Sequence, residues 1–137
     1  MARRRFACCF GVLIFAGSLL PATASEPFPF GSELMLDVAP MAGSKRIPML
    51  EVEDDGTASI DLWCTSLRGQ ATVADDSITI VPAQTESDGQ AAQCDPQQQS
   101  SDAALLAALA SVSKWRRDGD VVELSGDTTL RYRLMTN

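Results

Sequence analysis

The first 25 residues indicate the compartment in which the rest of the chain folds. Three arginines occupy positions 3–5, a mostly apolar stretch covers residues 6–20, and residues 22–24 form a small-x-small cleavage motif. This order is typical of a secretory signal peptide. We therefore predict a signal peptide over residues 1–24, cleavage at Ala24 or Ser25 so that the mature chain begins at Ser25 or Glu26, and a mature protein that is periplasmic or secreted.

Other interpretations of this segment fit less well. The apolar stretch is shorter than the about 20 residues that a membrane-spanning helix needs, so we expect no permanent membrane anchor. Cys8 and Cys9 precede most of the apolar stretch, whereas the cysteine of a lipoprotein follows it. Arg3-Arg4-Arg5-Phe6 also partly resembles a twin-arginine signal, which leaves the export route open.

The mature chain is acidic and small. Cleavage leaves about 113 residues, enough for one domain with a modest core. It also leaves eight basic and 18 acidic residues, a formal net charge of −10. That charge opposes nucleic acid and anionic membrane surfaces as partners. It suits a soluble envelope protein, or one that binds a basic protein partner.

Alternating apolar and polar residues predict about seven β-strands. Between the second and third of them, Asp55-Gly56 is a strong hairpin signal, because glycine accepts the positive φ of a tight turn. Residues 25–31, which contain two prolines, are expected to form an extended leader before the domain. The predicted strands cover residues 32–38, 47–53, 57–63, 65–73, 78–81, 121–125 and 128–135.

One helix is predicted over residues 102–114, where Leu105, Leu109 and Val112 share a face. Asp95-Pro96 is a candidate helix start, with a capping carboxylate and a proline at the first helical position. Ser100 or Ser101 is a second candidate cap.

The basic cluster at residues 114–117 is interpreted as the end of that helix, where the macrodipole favours cations. The fold class is therefore α+β and mostly β. We expect a small antiparallel sheet, barrel-like or sandwich-like, with the helix packed across it.

Cys64 and Cys94 are expected to form a structural disulfide in the exported protein. They are 30 positions apart and do not form the Cys-x-x-Cys arrangement of a redox pair. In the chain-entropy model, closing a loop of this length contributes roughly 3 to 4 kcal/mol to stability.

From Cys64 onward the order of parts resembles the META/HslJ family of small exported bacterial domains. The resemblance covers residues 32–136, which we take as the domain, although Thr65 stands where that family usually has Asn. It implies a compact mixed barrel, an envelope location, and a role in stress or antibiotic tolerance, with no catalytic residues. The matching parts are residues 64–69 and 92–94, Leu105, Leu106, Leu109 and Val112, then residues 118–120, 121–124 and 130–133.

The chain contains no histidine, which removes Ser-His-Asp triads, Cys-His nucleophiles and the commonest zinc ligands. Carboxylates cluster at residues 51–55, 75–76 and 118–120, but none of these segments has the ligand order of a calcium loop. We therefore predict no catalytic residue, no metal site and no cofactor, and a protein that is not an enzyme.

The resulting expectation is a non-enzymatic envelope protein with a protective or accessory role. One alternative is an inhibitor module similar to periplasmic lysozyme inhibitors, with the acidic surface binding a basic enzyme. Another is a small barrel that carries an apolar ligand in a cavity lined by Trp63, Leu67 and Leu109. Core packing is the expected role of both Trp63 and Trp115.

Overall fold

The computed structural model describes residues 25–83 and 93–136, which contain eight β-strands and one α-helix. Every strand pairs antiparallel with the next one in the chain, and β8 pairs with β1, which closes the barrel. The elements are β1 (Leu34–Leu36), β2 (Met49–Val52), β3 (Thr57–Asp61), β4 (Ser66–Ala74), β5 (Ser77–Pro82), α1 (Pro96–Ser111), β6 (Lys114–Asp118), β7 (Val121–Ser125) and β8 (Thr129–Leu134).

The predicted small antiparallel barrel with one helix is confirmed. The Asp-Gly hairpin is also present: Gly56 has φ 87°, and the Thr57 amide donates to the Asp55 carboxylate at 2.8 Å. A Cβ on Gly56 would lie 2.8 Å from the carbonyl oxygen of Ala71, so the turn needs glycine for space as well as for φ.

The helix begins earlier than the prediction of residues 102–114. Asp95 is the N-cap, Pro96 occupies the first turn, and Asp95 and Gln98 form a reciprocal capping box. The first two turns were missed because residues 97–101 are all polar and carry no apolar periodicity. Among the candidate starts, Asp95-Pro96 was correct and the serines were not.

The helix also ends earlier than predicted, at Ser111, and the interpretation of residues 114–117 as its basic end is wrong. Val112 has an extended backbone, and the Ser113 amide donates to the carbonyl of Ser125, which brings the chain into the sheet. Residues 114–118 are strand β6, with Trp115 facing the core. Only one apolar residue lies in this strand, so it has no alternation of apolar and polar residues that would predict a strand.

The barrel interior is filled by a continuous cluster of apolar side chains to which the helix contributes. Leu109 is fully buried, and Leu105 and Val112 are nearly so. The helix packs against β5. In the described part of the chain, β5 and β6 share one register pair, Ser77–Lys114. The helix therefore completes the core where the two strands diverge.

The leader at residues 25–31 packs against the barrel. Phe28 is 6% exposed, and its ring meets Trp115 edge to face with 5.1 Å between ring centres. The Gly119 amide donates to the Glu26 carboxylate at 2.5 Å, and the Gly31 amide donates to the Val52 carbonyl at 2.8 Å. Phe28 thus belongs to the hydrophobic core. Within the described residues, no helix has both the length and the apolar character needed to cross a membrane.

The helix packing makes Leu109 and Lys114 a test pair. Leu109→Asp places an unpaired charge in the core and is expected to cost more than about 4 kcal/mol and unfold the domain. Lys114 is 60% exposed and pairs with the Asp76 carboxylate at 3.0 Å, which lowers the pKa of Asp76. Lys114→Ala should cost well under ~1 kcal/mol. Thermal melts measure both, and a Leu109→Asp variant that melts with the parent contradicts the packing.

Candidate functional site

The Cys64–Cys94 disulfide joins the β3–β4 connection to the start of the helix. Cys64 lies three residues after β3, and Cys94 immediately precedes the N-cap Asp95. Their Cα atoms are 6.0 Å apart, and Cys94 is 6% exposed. The bond therefore fixes the amino end of α1 beside the barrel.

A buried carboxylate makes a second connection between the same two parts. Asp102 is 5% exposed and projects from α1 toward the β3–β4 connection. It accepts hydrogen bonds from the Cys64 amide at 3.3 Å, the Thr65 amide at 3.0 Å and the Thr65 hydroxyl at 2.9 Å. Three donors compensate for the removal of a charged group from water. We call Asp102, Cys64 and Thr65, with these contacts, the Asp102 clamp.

The clamp is not predicted from the sequence, because Asp102 is the first residue of the predicted helix. One signal was available. Asp102, Leu105 and Leu109 follow helical spacings of three and four, so the carboxylate lies on the apolar face of the helix. An acidic residue on an apolar face needs a buried partner, but the sequence does not identify that partner.

The β1–β2 connection packs against the other side of the β3–β4 connection. Arg46 donates to the Cys64 carbonyl at 3.1 Å, to the Ser66 hydroxyl at 2.8 Å and to the Asp61 carboxylate at 3.2 Å. The Ser44 hydroxyl donates to the Trp63 carbonyl at 2.9 Å. Trp63 is thereby held between two loops at the barrel surface.

These loops and the start of the helix enclose a surface groove of about 390 Å³, which we call the Trp63 groove. The Gln98 side chain is held there by the Asp95 amide, which donates to its carbonyl oxygen at 3.1 Å, so its NH₂ group remains to donate elsewhere. The lining includes Ser44, Lys45, Arg46, Trp63, Gln93 and Gln98, with Cys64 beside them.

The structure separates residues that sequence analysis grouped. Trp115 packs in the core as expected, but Trp63 is half-buried and lines the groove instead. Leu109 lies in the core cluster and Leu67 packs against that cluster, so neither lines the groove with Trp63. Of the predicted cleavage residues, Ala24 lies outside the described residues and Ser25 is the first described one; cleavage stays a prediction.

Two other surfaces carry charge. Glu33, Glu51 and Glu53 form an acidic strip on the outside of the barrel, where partial burial and the two neighbouring carboxylates raise the pKa of Glu51. On β7, the Glu123 carboxylate pairs with both Arg116 and Arg131 beside a pocket of about 130 Å³. Among residues 25–83 and 93–136, no three His, Cys, Asp or Glu side chains are placed to hold a metal ion.

The groove brings polar and aromatic residues together at the surface, and none of the described residues that line it provides an activated nucleophile. Cys64 is in a disulfide, the chain has no histidine, and Arg46 is occupied by its three acceptors. Aromatic, amide, hydroxyl and cationic groups converge there on a frame fixed by the disulfide and the Asp102 clamp.

The Asp102 clamp predicts a specific loss of stability. Asp102→Ala leaves the Cys64 and Thr65 amides without their acceptor and is expected to cost about 2–4 kcal/mol. Asp54→Ala is the matched control, because Asp54 is an exposed aspartate in a turn, and it should stay within about 0.5 kcal/mol of the parent. Urea unfolding with the disulfide intact measures both, and equal midpoints would contradict the clamp.

Solved structures with the same fold resemble this chain at low sequence identity. A protein from Burkholderia xenovorans has a TM-score of 0.57 and 18% identity, with 85% of this chain and 96% of that chain covered. Another, solved by NMR, has a TM-score of 0.54 and 15% identity, covering 75% and 88%. A DUF4847 family protein from Bacteroides vulgatus has a TM-score of 0.50 and 16% identity, covering 63% of this chain and 57% of that one. These likenesses show the fold alone.

No curated protein matches the sequence. The META domain family model matches residues 33–136, which run from β1 through β8 and include the helix, the Asp102 clamp and the Trp63 groove. The match covers about three-quarters of the chain and agrees with the resemblance drawn from residues 32–136. This protein therefore belongs to the META domain family.

Proposed function

We propose that this META-domain protein is an exported, non-enzymatic protein of the cell envelope, where it has a protective or accessory role through binding at the Trp63 groove. The observation that carries the proposal is the construction of the groove. Three chain segments far apart in sequence meet there, and a disulfide, a buried carboxylate and a three-bonded arginine hold them in place. Such preorganisation lowers the entropic cost of binding.

Two features support export. The first 24 residues carry the order of charge, apolar stretch and cleavage motif that a secretory signal has. The disulfide is a bond that persists in oxidising compartments and is rare in the cytosol. Together they favour an envelope location over a cytosolic one.

Two features support a role without catalysis. The META family is generally not known as a family of enzymes. The barrel interior, which would otherwise offer an enclosed site, is filled with apolar side chains such as Leu50, Ile60 and Leu124. The proposal therefore places binding at the surface of the barrel.

The acidic strip favours a second candidate, an inhibitor that binds a basic enzyme. Partial burial raises the pKa of Glu51, and the nearby charges of Glu53 and Glu33 raise it further. A basic partner would relieve that repulsion. Recovery of a muramidase from an envelope extract by the parent, and its loss with Glu51→Gln and Glu53→Gln, would support the inhibitor over the groove.

Export and groove function are tested together in a deletion strain challenged with a cell-wall antibiotic. We expect the parent protein in the periplasmic or secreted fraction with its N-terminus at Ser25 or Glu26, and we expect it to restore survival. Trp63→Ala should accumulate equally and fail to restore survival, because it removes the aromatic wall of the groove. Val81→Ala is the control, since Val81 is 60% exposed on β5 and does not line the groove.

Two outcomes would contradict the proposal. One is an intact Met1 or Ala2 terminus in cytosolic protein, which would remove the envelope location. The other is full restoration of survival by Trp63→Ala, which would remove the groove from the function.

A further inference from the structure

We propose that the ligand of the Trp63 groove is a saccharide, of the kind that forms the glycan strands of a cell envelope. This inference rests on the proposed function, because it assigns a ligand class to the same groove. It follows from the aromatic surface, the fixed donors, the local charge and the size of the site.

Trp63 provides the aromatic surface. The residue is half-buried and lines the groove, so its indole is the aromatic group available at this surface. A pyranose ring has a face of C–H groups that can lie against an aromatic ring, while its hydroxyls point outward to polar groups. An amphipathic aromatic side chain surrounded by polar residues matches that division.

The polar groups of the groove are largely held in position. Gln98 is oriented by the capping box, which leaves its NH₂ group as a donor to a hydroxyl. The Ser44 hydroxyl donates to the Trp63 carbonyl and accepts from the Arg46 amide at 3.2 Å, which leaves one oxygen lone pair to accept a further hydrogen bond. Lys45 and Gln93 add exposed donors at the rim. A neutral ligand rich in hydroxyls can bond to donors and acceptors at once.

The charge of the site disfavours an anion as the main ligand. The Arg46 guanidinium already contacts the Asp61 carboxylate at 3.2 Å, so its charge is largely balanced. Lys45 is then the cation left to attract an anion, in a mature chain with a net charge of −10. Polyanions are repelled by such a surface.

The polarity and size of the site favour a sugar over an apolar molecule. The lining is mostly polar, and its volume of about 390 Å³ lies at the small end of the roughly 300–1,000 Å³ range of ligand sites. A short stretch of a glycan chain suits a surface groove of that size.

The test uses the mature, oxidised protein and an NMR titration that follows the two indole N–H signals separately. The probes are an N-acetylglucosamine tetramer, a maltose-type glucose tetramer and inorganic phosphate. We expect at least one tetramer to shift the Trp63 signal and the Gln98 side-chain signal in a saturable way. The Trp115 signal should stay in place, because Trp115 is buried beside Phe28. Phosphate should shift neither indole signal.

Variants check the contribution of the ring. Trp63→Ala should bind the tetramer on the order of 30-fold more weakly, which is the effect of losing a central aromatic contact. Trp63→Phe keeps a ring and should retain part of the affinity, and Val81→Ala should bind as the parent does. The titration of the parent protein does not require any variant to fold, so it tests saccharide binding at the Trp63 groove by itself.

Three results would overturn the saccharide inference: no saturable shift with either tetramer at millimolar concentration, saturation by phosphate instead, or tetramer shifts that leave Trp63 and Gln98 unchanged. If the parent fails to bind saccharide while Trp63→Ala still fails to restore survival, the saccharide inference falls and the proposed function stands. If saccharide binds at Trp63 but Trp63→Ala restores survival, the proposed function falls.

Discussion

The Asp102 carboxylate, buried in the side of α1, accepts hydrogen bonds from two consecutive backbone amides and a hydroxyl of the β3–β4 connection. A 16-residue helix is marginal by itself in water, so contacts with the barrel must hold it. Leu109 supplies apolar burial, which has no direction. The hydrogen bonds of the carboxylate are directional. Because its oxygens accept from donors in the β3–β4 connection, they fix the rotation of the helix about its axis and its position along the barrel.

The Trp63 groove depends on that placement. Asp102 and the disulfide hold the β3–β4 connection from the helix side, and Arg46 holds it from the side of the β1–β2 loop. Cys64 takes part in all three: its amide donates to Asp102, its sulfur bonds to Cys94 and its carbonyl accepts from Arg46. A shift of the helix would therefore move the groove wall that carries Gln98. The contacts that stabilise the helix against the barrel are therefore the same ones that hold the Trp63 groove in shape.

Much of the barrel was accessible from the sequence, because its strands are short and mostly alternate. The β2–β3 hairpin followed from Asp55-Gly56, and the pairing of Cys64 with Cys94 followed from their isolation in the mature chain. Strand β6 could not be predicted from the sequence. Its first four residues, Lys114-Trp115-Arg116-Arg117, have the composition of a helix end, and only their pairing with β7 makes them a strand. Phe28 was likewise placed in a leader, because its core contact is with Trp115, 87 positions away.

The site was less accessible than the fold. Its walls come from the β1–β2 loop, the β3–β4 connection and the start of α1, and no local pattern brings Arg46, Trp63 and Gln98 together. Only tertiary packing brings these residues together. The most direct test of whether Asp102 holds the helix to the barrel is native-state hydrogen exchange at the Cys64 and Thr65 amides. We predict protection close to that of the central barrel strands in the oxidised protein, because both amides donate to buried Asp102. Exchange as fast as that of exposed loop amides would show that the carboxylate does not hold the helix to the barrel.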